Sequence, residues 1–143
     1  MADDHSLDRF VEAQTRTYQT ALSEIRRGTK RTHWIWYIFP QLSGLGRSPT
    51  ARHFAIRSIE EARAYLAHPL LGQRLKACAQ AVAAHAGQSA RAIFGAPDDL
   101  KLRSSLTLFE AADPTAADFG AALDAVCGGV RDPATLAMIG ESR

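Results

Sequence analysis

Only one run in this chain, Thr32-His33-Trp34-Ile35-Trp36-Tyr37-Ile38-Phe39-Pro40-Gln41-Leu42, has the aromatic and β-branched character of a strand, and one strand cannot make a sheet. Its two edges would go unpaired, because no second run of that character exists to pair with it. The run therefore reads as a short, wholly buried helix or extended segment inside an array of helices.

The rest of the chain is punctuated as helices. Ser6 is an N-cap for a long first helix in which Phe10, Val11, Gln14, Tyr18, Leu22 and Ile25 recur at helical spacing until Gly28, a helix-stop residue. Ser58-Ile59-Glu60-Glu61 is a capping box and opens a helix to about Ala67. Pro69 is tolerated in a first turn, so a further helix starts there with Leu70, Leu71, Leu75, Cys78 and Val82 on its buried stripe and runs to Gly87. Ser89 starts 90–94, Pro97-Asp98 starts the stretch to Ala111, Asp113-Pro114 precedes Phe119, Leu123 and Val126, and Asp132-Pro133 precedes Leu136 and Ile139; Gly95 and Gly128 are the matching stops. Residues 43–57, with Gly44, Gly46 and Pro49, read as a loop with partial helix. The spacing predicts an all-α fold: one compact multihelical domain over 1–143, six to seven helices around a short buried aromatic segment, with disordered ends at 1–5 and 140–143.

A chain of 143 residues with 46% hydrophobic and 22% charged side chains can bury a core without disulfides or a structural metal. The net charge of +2 gives no global field toward nucleic acid or an anionic membrane, which makes nucleic acid an unexpected partner. Cys78 and Cys127 lie far apart on apolar stripes and read as buried thiols. The acidic N-terminus has no apolar segment behind it, and no apolar run nears the ~20 residues that span a bilayer, so the expected location is the cytoplasm and no membrane partner is expected.

Chemistry concentrates in two places. Arg26-Arg27-Gly28-Thr29-Lys30-Arg31-Thr32-His33-Trp34 sets four cations and a histidine against the aromatic run, an arrangement able to hold an anion while Trp34 or Trp36 stacks on a ring. The same cations also suit a helix C-terminus, and the same tryptophans suit a core. On the helix 98–111, about 100° per residue puts Leu102, Leu106 and Phe109 on a core stripe, Lys101, Ser104, Ser105 and Leu108 on a second, and Arg103, Thr107 and Glu110 on a third. The five histidines and two cysteines show no metal-ligand spacing, and there is no nucleophile elbow, phosphate-binding loop or dinucleotide fingerprint, so neither metal nor cofactor is expected.

The segments Phe10 to Gln14, Lys30 to Leu42, Ala64 to Gly72 and Lys101 to Phe109 resemble, in order and over nearly the whole chain, the bacterial domain of unknown function family 1810. The resemblance implies a compact helical domain with a short buried central helix and implies no activity. Thr32, Ile35 and Leu106 stand where that family's pattern usually has Ser, Met and Met, swaps that keep the hydroxyl and the apolar bulk. The label "calpastatin" sometimes attached to such proteins finds no physical support, since this chain is ordered and unrepeated.

The functional expectation is a small anionic, nucleotide-like ligand in a cleft between residues 30–41 and the Lys101 helix. Lys30, His33, Lys101 and Arg103 would supply charge, Trp34 or Trp36 a stacking face, and Gln41, Ser104 and Thr107 hydrogen bonds. If a reaction ensues, His33 is its acid or base, the side chain whose ordinary pKa lies nearest neutrality. The alternative is an interaction module, such as a homodimer, that uses the aromatic segment as its partner surface.

Overall fold

The structure, a computed structural model, describes residues 7–141. These form nine helices: α1 (Asp8–Arg27), α2 (Ile35–Ile38), α3 (Pro49–His53), α4 (Ile59–Ala67), α5 (Leu71–Ala83), α6 (Ala90–Phe94), α7 (Asp98–Ala112), α8 (Ala117–Val126) and α9 (Pro133–Glu141). The all-α expectation holds. The excess over seven comes from α2 and α3, short turns inside the two segments that lacked helical periodicity. The expected disorder at 1–5 and 142–143 and the Ser6 cap lie outside the described residues, while Gly140 and Glu141 form the end of α9.

α1 buries Phe10, Gln14, Ala21, Leu22 and Ile25 and stops where Gly28 takes a left-handed conformation (φ 79°) that an L side chain rarely adopts. The Gly28 N–H donates to the Ile25 carbonyl at 2.9 Å and the Thr29 N–H to that of Glu24 at 3.1 Å, closing the last turn. The aromatic run becomes α2, one turn in which Ile38 N donates to Trp34 O (3.2 Å) and Phe39 N to Ile35 O (3.0 Å). Pro40 ends it, since proline disfavours helix in the residue before it. The strand character of this run survives in one place only: Leu42 pairs with Ile56 in an isolated parallel bridge, with Ile56 N donating to Gln41 O (2.8 Å) and Ser43 N to Ile56 O (2.7 Å).

Helix starts are set by side chains near the expected positions. The Ser58 hydroxyl accepts from Glu61 N at 3.1 Å as the capping box requires, but Glu61 answers to the N–H of Arg57 (3.1 Å), one residue further out. At the next start His68 does the capping: its Nδ1 accepts from Leu70 N (3.1 Å) and Leu71 N (3.2 Å), so α5 begins at Leu71 and not at Pro69. α5 ends at Ala83, before a turn that reaches Gly87. Asp113 turns onto Thr115 and delays α8 to Ala117.

α7 is the centre of the array, packed against α2, α4, α6, α8 and α9, while α5 packs against α1, α4 and α8. It is therefore buried on more than one face: Leu102, Ser104, Ser105, Leu106, Thr107, Leu108 and Phe109 are all buried. This corrects the sequence reading, which gave it one core stripe. Ser104 and Thr107 tolerate burial because their hydroxyls donate to carbonyls one turn back, Leu100 at 3.0 Å and Arg103 at 2.7 Å.

α4 and α5 meet at Gly72. A Cβ at this position would fall well inside contact distance of the Leu66 carbonyl, a backbone group that cannot rotate away. Gly72→Ala should lower stability by about 2 kcal/mol in urea unfolding, as overpacked cores do; an unchanged midpoint would show that the two helices are not in close contact there.

Candidate functional site

Glu24, in the last turns of α1, has a buried carboxylate that collects the loop after Gly28. Oε1 accepts from Arg31 N (2.8 Å), Thr32 N (3.0 Å) and the Trp34 indole Nε1 (2.9 Å), and Oε2 accepts from the Thr32 hydroxyl (2.8 Å). Burial alone would raise its pKa. The hydrogen bonds from Arg31, Thr32 and Trp34 favour the charged form more strongly and hold it at about 2, against an ordinary 4.5. A depressed carboxyl contributes stability in full above its ordinary pKa and loses it as the pH falls through the folded value, here between about 4.5 and 2.

The loop so fixed carries Lys30, whose N–H is also held by the Ile93 carbonyl at 2.8 Å. Its side chain is only 5% exposed; the ammonium donates to Thr32 O (2.5 Å), sits 4.9 Å from the centre of the Trp34 ring and pairs with Asp98 Oδ2 at 2.9 Å. Asp98, in the first turn of α7, offers its other oxygen to Lys101 at 3.2 Å, and the Lys101 ammonium lies 5.2 Å from the centre of the Trp36 ring. Two lysines 71 positions apart in the sequence thus share one carboxylate, each also set on a tryptophan. With the exposed Arg31 counted beside Lys30 and Lys101, and Asp98 and Glu24 against them, one positive charge is left over.

Of the residues singled out in the sequence, the structure brings together Lys30, Trp34, Trp36 and Lys101. Trp34 is 1% exposed and stands edge-on to Phe94 at 5.8 Å, so it has no face free to stack; that expectation is corrected, and only the half-buried Trp36 has a reachable ring. His33 is exposed, with its carbonyl 3.5 Å from the Tyr37 hydroxyl and no orienting partner for its imidazole among the described residues. Gln41 belongs to the Leu42–Ile56 bridge. Arg103 lies against the Cys127 thiol.

Ser104 and Thr107 serve another structure. Ser104 Oγ lies 3.1 Å from Asp132 Oδ2, Thr107 Oγ1 accepts from Asp132 N at 3.0 Å, and Asp132 in turn caps α9 through Thr135 N and the Thr135 hydroxyl. They anchor α9 to α7. Asp98 and Glu24 were missed by the sequence reading, although Asp98 stands three residues before Lys101, where a helix brings the two side chains together.

Burial pushes the Cys78 thiol up to about 12 and raises that of Cys127, so neither is a thiolate nucleophile near neutrality. Among the described residues no three His, Cys, Asp or Glu are grouped to hold a metal, and no helix is long and apolar enough to cross a membrane. Two concavities lie elsewhere, one of about 260 Å³ beside Arg63, Lys76 and Asp113 and one of about 300 Å³ beside Arg26, Gln80 and His85.

The model of the family described as "Protein of unknown function (DUF1810)" matches residues 4–139. The chain belongs to this family. The conserved hypothetical protein Rv1873 from Mycobacterium tuberculosis, known from a crystal structure, is 49% identical to this DUF1810 chain; the match covers 96% of this chain and 99% of that one with a TM-score of 0.93. No curated protein matches the chain. The comparisons fix fold and family and name no activity.

Glu24→Gln keeps the shape and turns an amide NH₂ toward donors that need an acceptor. It should cost about 2–3 kcal/mol in denaturant unfolding and flatten the loss of stability on the acid side. A variant as stable as the parent at pH 7 would mean the carboxylate does not hold this loop.

Proposed function

We infer that the protein binds a small anionic ligand, nucleotide-like in having a planar ring beside its negative groups, at the Lys30–Asp98–Lys101 cluster. The observation that carries this reading is the shared carboxylate. Asp98 divides its charge between two ammonium groups, and a phosphate or carboxylate arriving at Lys101, whose side chain is 23% exposed, finds a partly desolvated cation that is only half neutralised. The positive end of α7 adds to the attraction. Trp36 supplies the ring surface, already beside Lys101, and Lys30 acts from beneath by holding Asp98 in place. His33, exposed on the same segment, is the candidate acid or base of any reaction that accompanies binding.

The alternative of a partner surface built on the tryptophans has less support, because Trp34 is sealed in the core. The large apolar side chains that are most exposed, Leu100, Val130 and Leu136, are not part of the aromatic segment.

A ligand that binds only the folded state stabilises it by mass action, by about 2.7 kcal/mol at a hundredfold excess over Kd, and so raises the melting temperature. Screening nucleotides, nucleotide-sugars and small phosphorylated metabolites should therefore find a stabiliser whose effect disappears in Lys101→Ala. The unliganded variant should keep its stability to within about 1 kcal/mol of the parent, since Asp98 retains Lys30 as its partner and a partly exposed ion pair contributes little. No stabiliser across the panel, or one that acts equally on Lys101→Ala, would contradict the assignment.

A further inference from the structure

We propose that the surface formed by α2 and the segment 43–57 binds single-stranded nucleic acid, an interaction that goes beyond the small-ligand reading and overlaps that site only at α2 and the Arg31–His33 corner. Charge in this chain is unevenly placed. Residues 25–59 hold seven of the seventeen Lys and Arg and none of the fifteen Asp and Glu, so the modest net charge hides a cationic stretch set against an acidic remainder. The carboxylates that bracket the stretch are turned to structural work: Glu24 is buried under the 29–34 loop, and Glu61 is bound by Arg9 at 3.3 Å, which leaves Glu60 as the exposed acid at the edge. Six of the seven cations are arginines, and all six are exposed, while Lys30 is turned inward. None of the described ion pairs uses Arg31, Arg47, Arg52 or Arg57.

The fold joins the two ends of this stretch through aromatic rings. The Tyr37 hydroxyl reaches the His33 carbonyl, the Tyr37 ring lies 5.2 Å from that of Phe54, and Phe54 lies 4.6 Å from the ring of the exposed His53. Arg9 keeps α3 in this position by donating to the His53 and Ala55 carbonyls, both at 2.8 Å. The half-buried Tyr37 and Phe54 rings thus link the segment at His33 to the exposed His53, and an exposed arginine stands close by in sequence at each end, Arg31 and Arg52. Guanidinium groups bind phosphates bidentately, and rings between them offer faces to unpaired bases without reading sequence. An anionic membrane is disfavoured, because Leu100, Val130 and Leu136, the large apolar side chains most exposed, all lie outside residues 25–59.

The test is fluorescence anisotropy of a labelled oligouridylate of about 20 nucleotides with the full chain. If four arginines each neutralise a phosphate, affinity should fall about fifty-fold between roughly 50 and 200 mM salt. The double variant Arg52→Ala/Arg57→Ala should bind more weakly and lose about 1.4 from the salt slope, with an unchanged melting temperature, whereas Lys101→Ala should bind the RNA as the parent does. That pair of variants separates this surface from the small-ligand site. Absence of binding at the lower salt, binding indifferent to the double substitution, or stronger binding to a duplex or to phosphatidylserine vesicles than to the single strand would overturn the proposal.

Discussion

A buried carboxylate that takes four hydrogen bonds is an unusual thing to place at the end of a helix, where the macrodipole already concentrates negative charge. Glu24 does so because the loop it collects, Arg31 to Trp34, turns four donors onto it. The exchange serves both parties: the loop's N–H groups and the Trp34 indole find a partner away from water, and the charge is compensated by oriented dipoles rather than by a counter-ion. Without this contact the loop into the aromatic turn α2 would lose its main anchor, and Lys30 would be held only by the Ile93 carbonyl and Asp98.

From that anchor several segments converge on α7. α1 ends at Gly28, the loop turns under the carboxylate, Lys30 reaches Asp98, and Asp98 lies at the head of the helix against which α2, α4, α6, α8 and α9 pack. Further along the same helix, Ser104 and Thr107 hold Asp132 and with it the start of α9. α7 therefore works as a spine whose polar side chains tie down the segments that lack strong periodicity of their own, while its leucines and Phe109 fill the core. Its hydroxyls are fastenings, and the cluster at its first turn is where charge remains incompletely matched.

Much of this was legible in the sequence. The stops at Gly28 and Gly95, the caps at Ser58 and Ser89 and the Asp132-Pro133 start could be read because each is a local device whose chemistry fits within four residues. The all-α class came from the absence of a strand partner for 32–42. What could not be read depends on long-range geometry. Periodicity gives α7 one apolar stripe, but a helix surrounded by five others is buried on several faces, and Ser104 and Thr107 look like ligand groups until Asp132 is seen against them. Trp34 and Trp36, two residues apart on a single turn, meet different fates because only Trp34 points its indole N–H at Glu24. Asp98 was the legible miss: an acidic first turn reads as a dipole complement, and only the return of Lys30 from a distant loop makes it the shared partner of two cations.

The fold depends most heavily on Glu24 remaining charged in its interior, and the reporter for that is the indole proton it accepts. Tracking the Trp34 Nε1–H resonance by NMR as the protein is acidified should show no titration through the ordinary carboxylate range and an inflection near pH 2, where the carboxylate finally takes up a proton. An inflection at the ordinary value of 4.5 would mean that the carboxylate is solvated, that the loop is not fastened to it, and that the placement of Lys30 against Asp98 has some other cause.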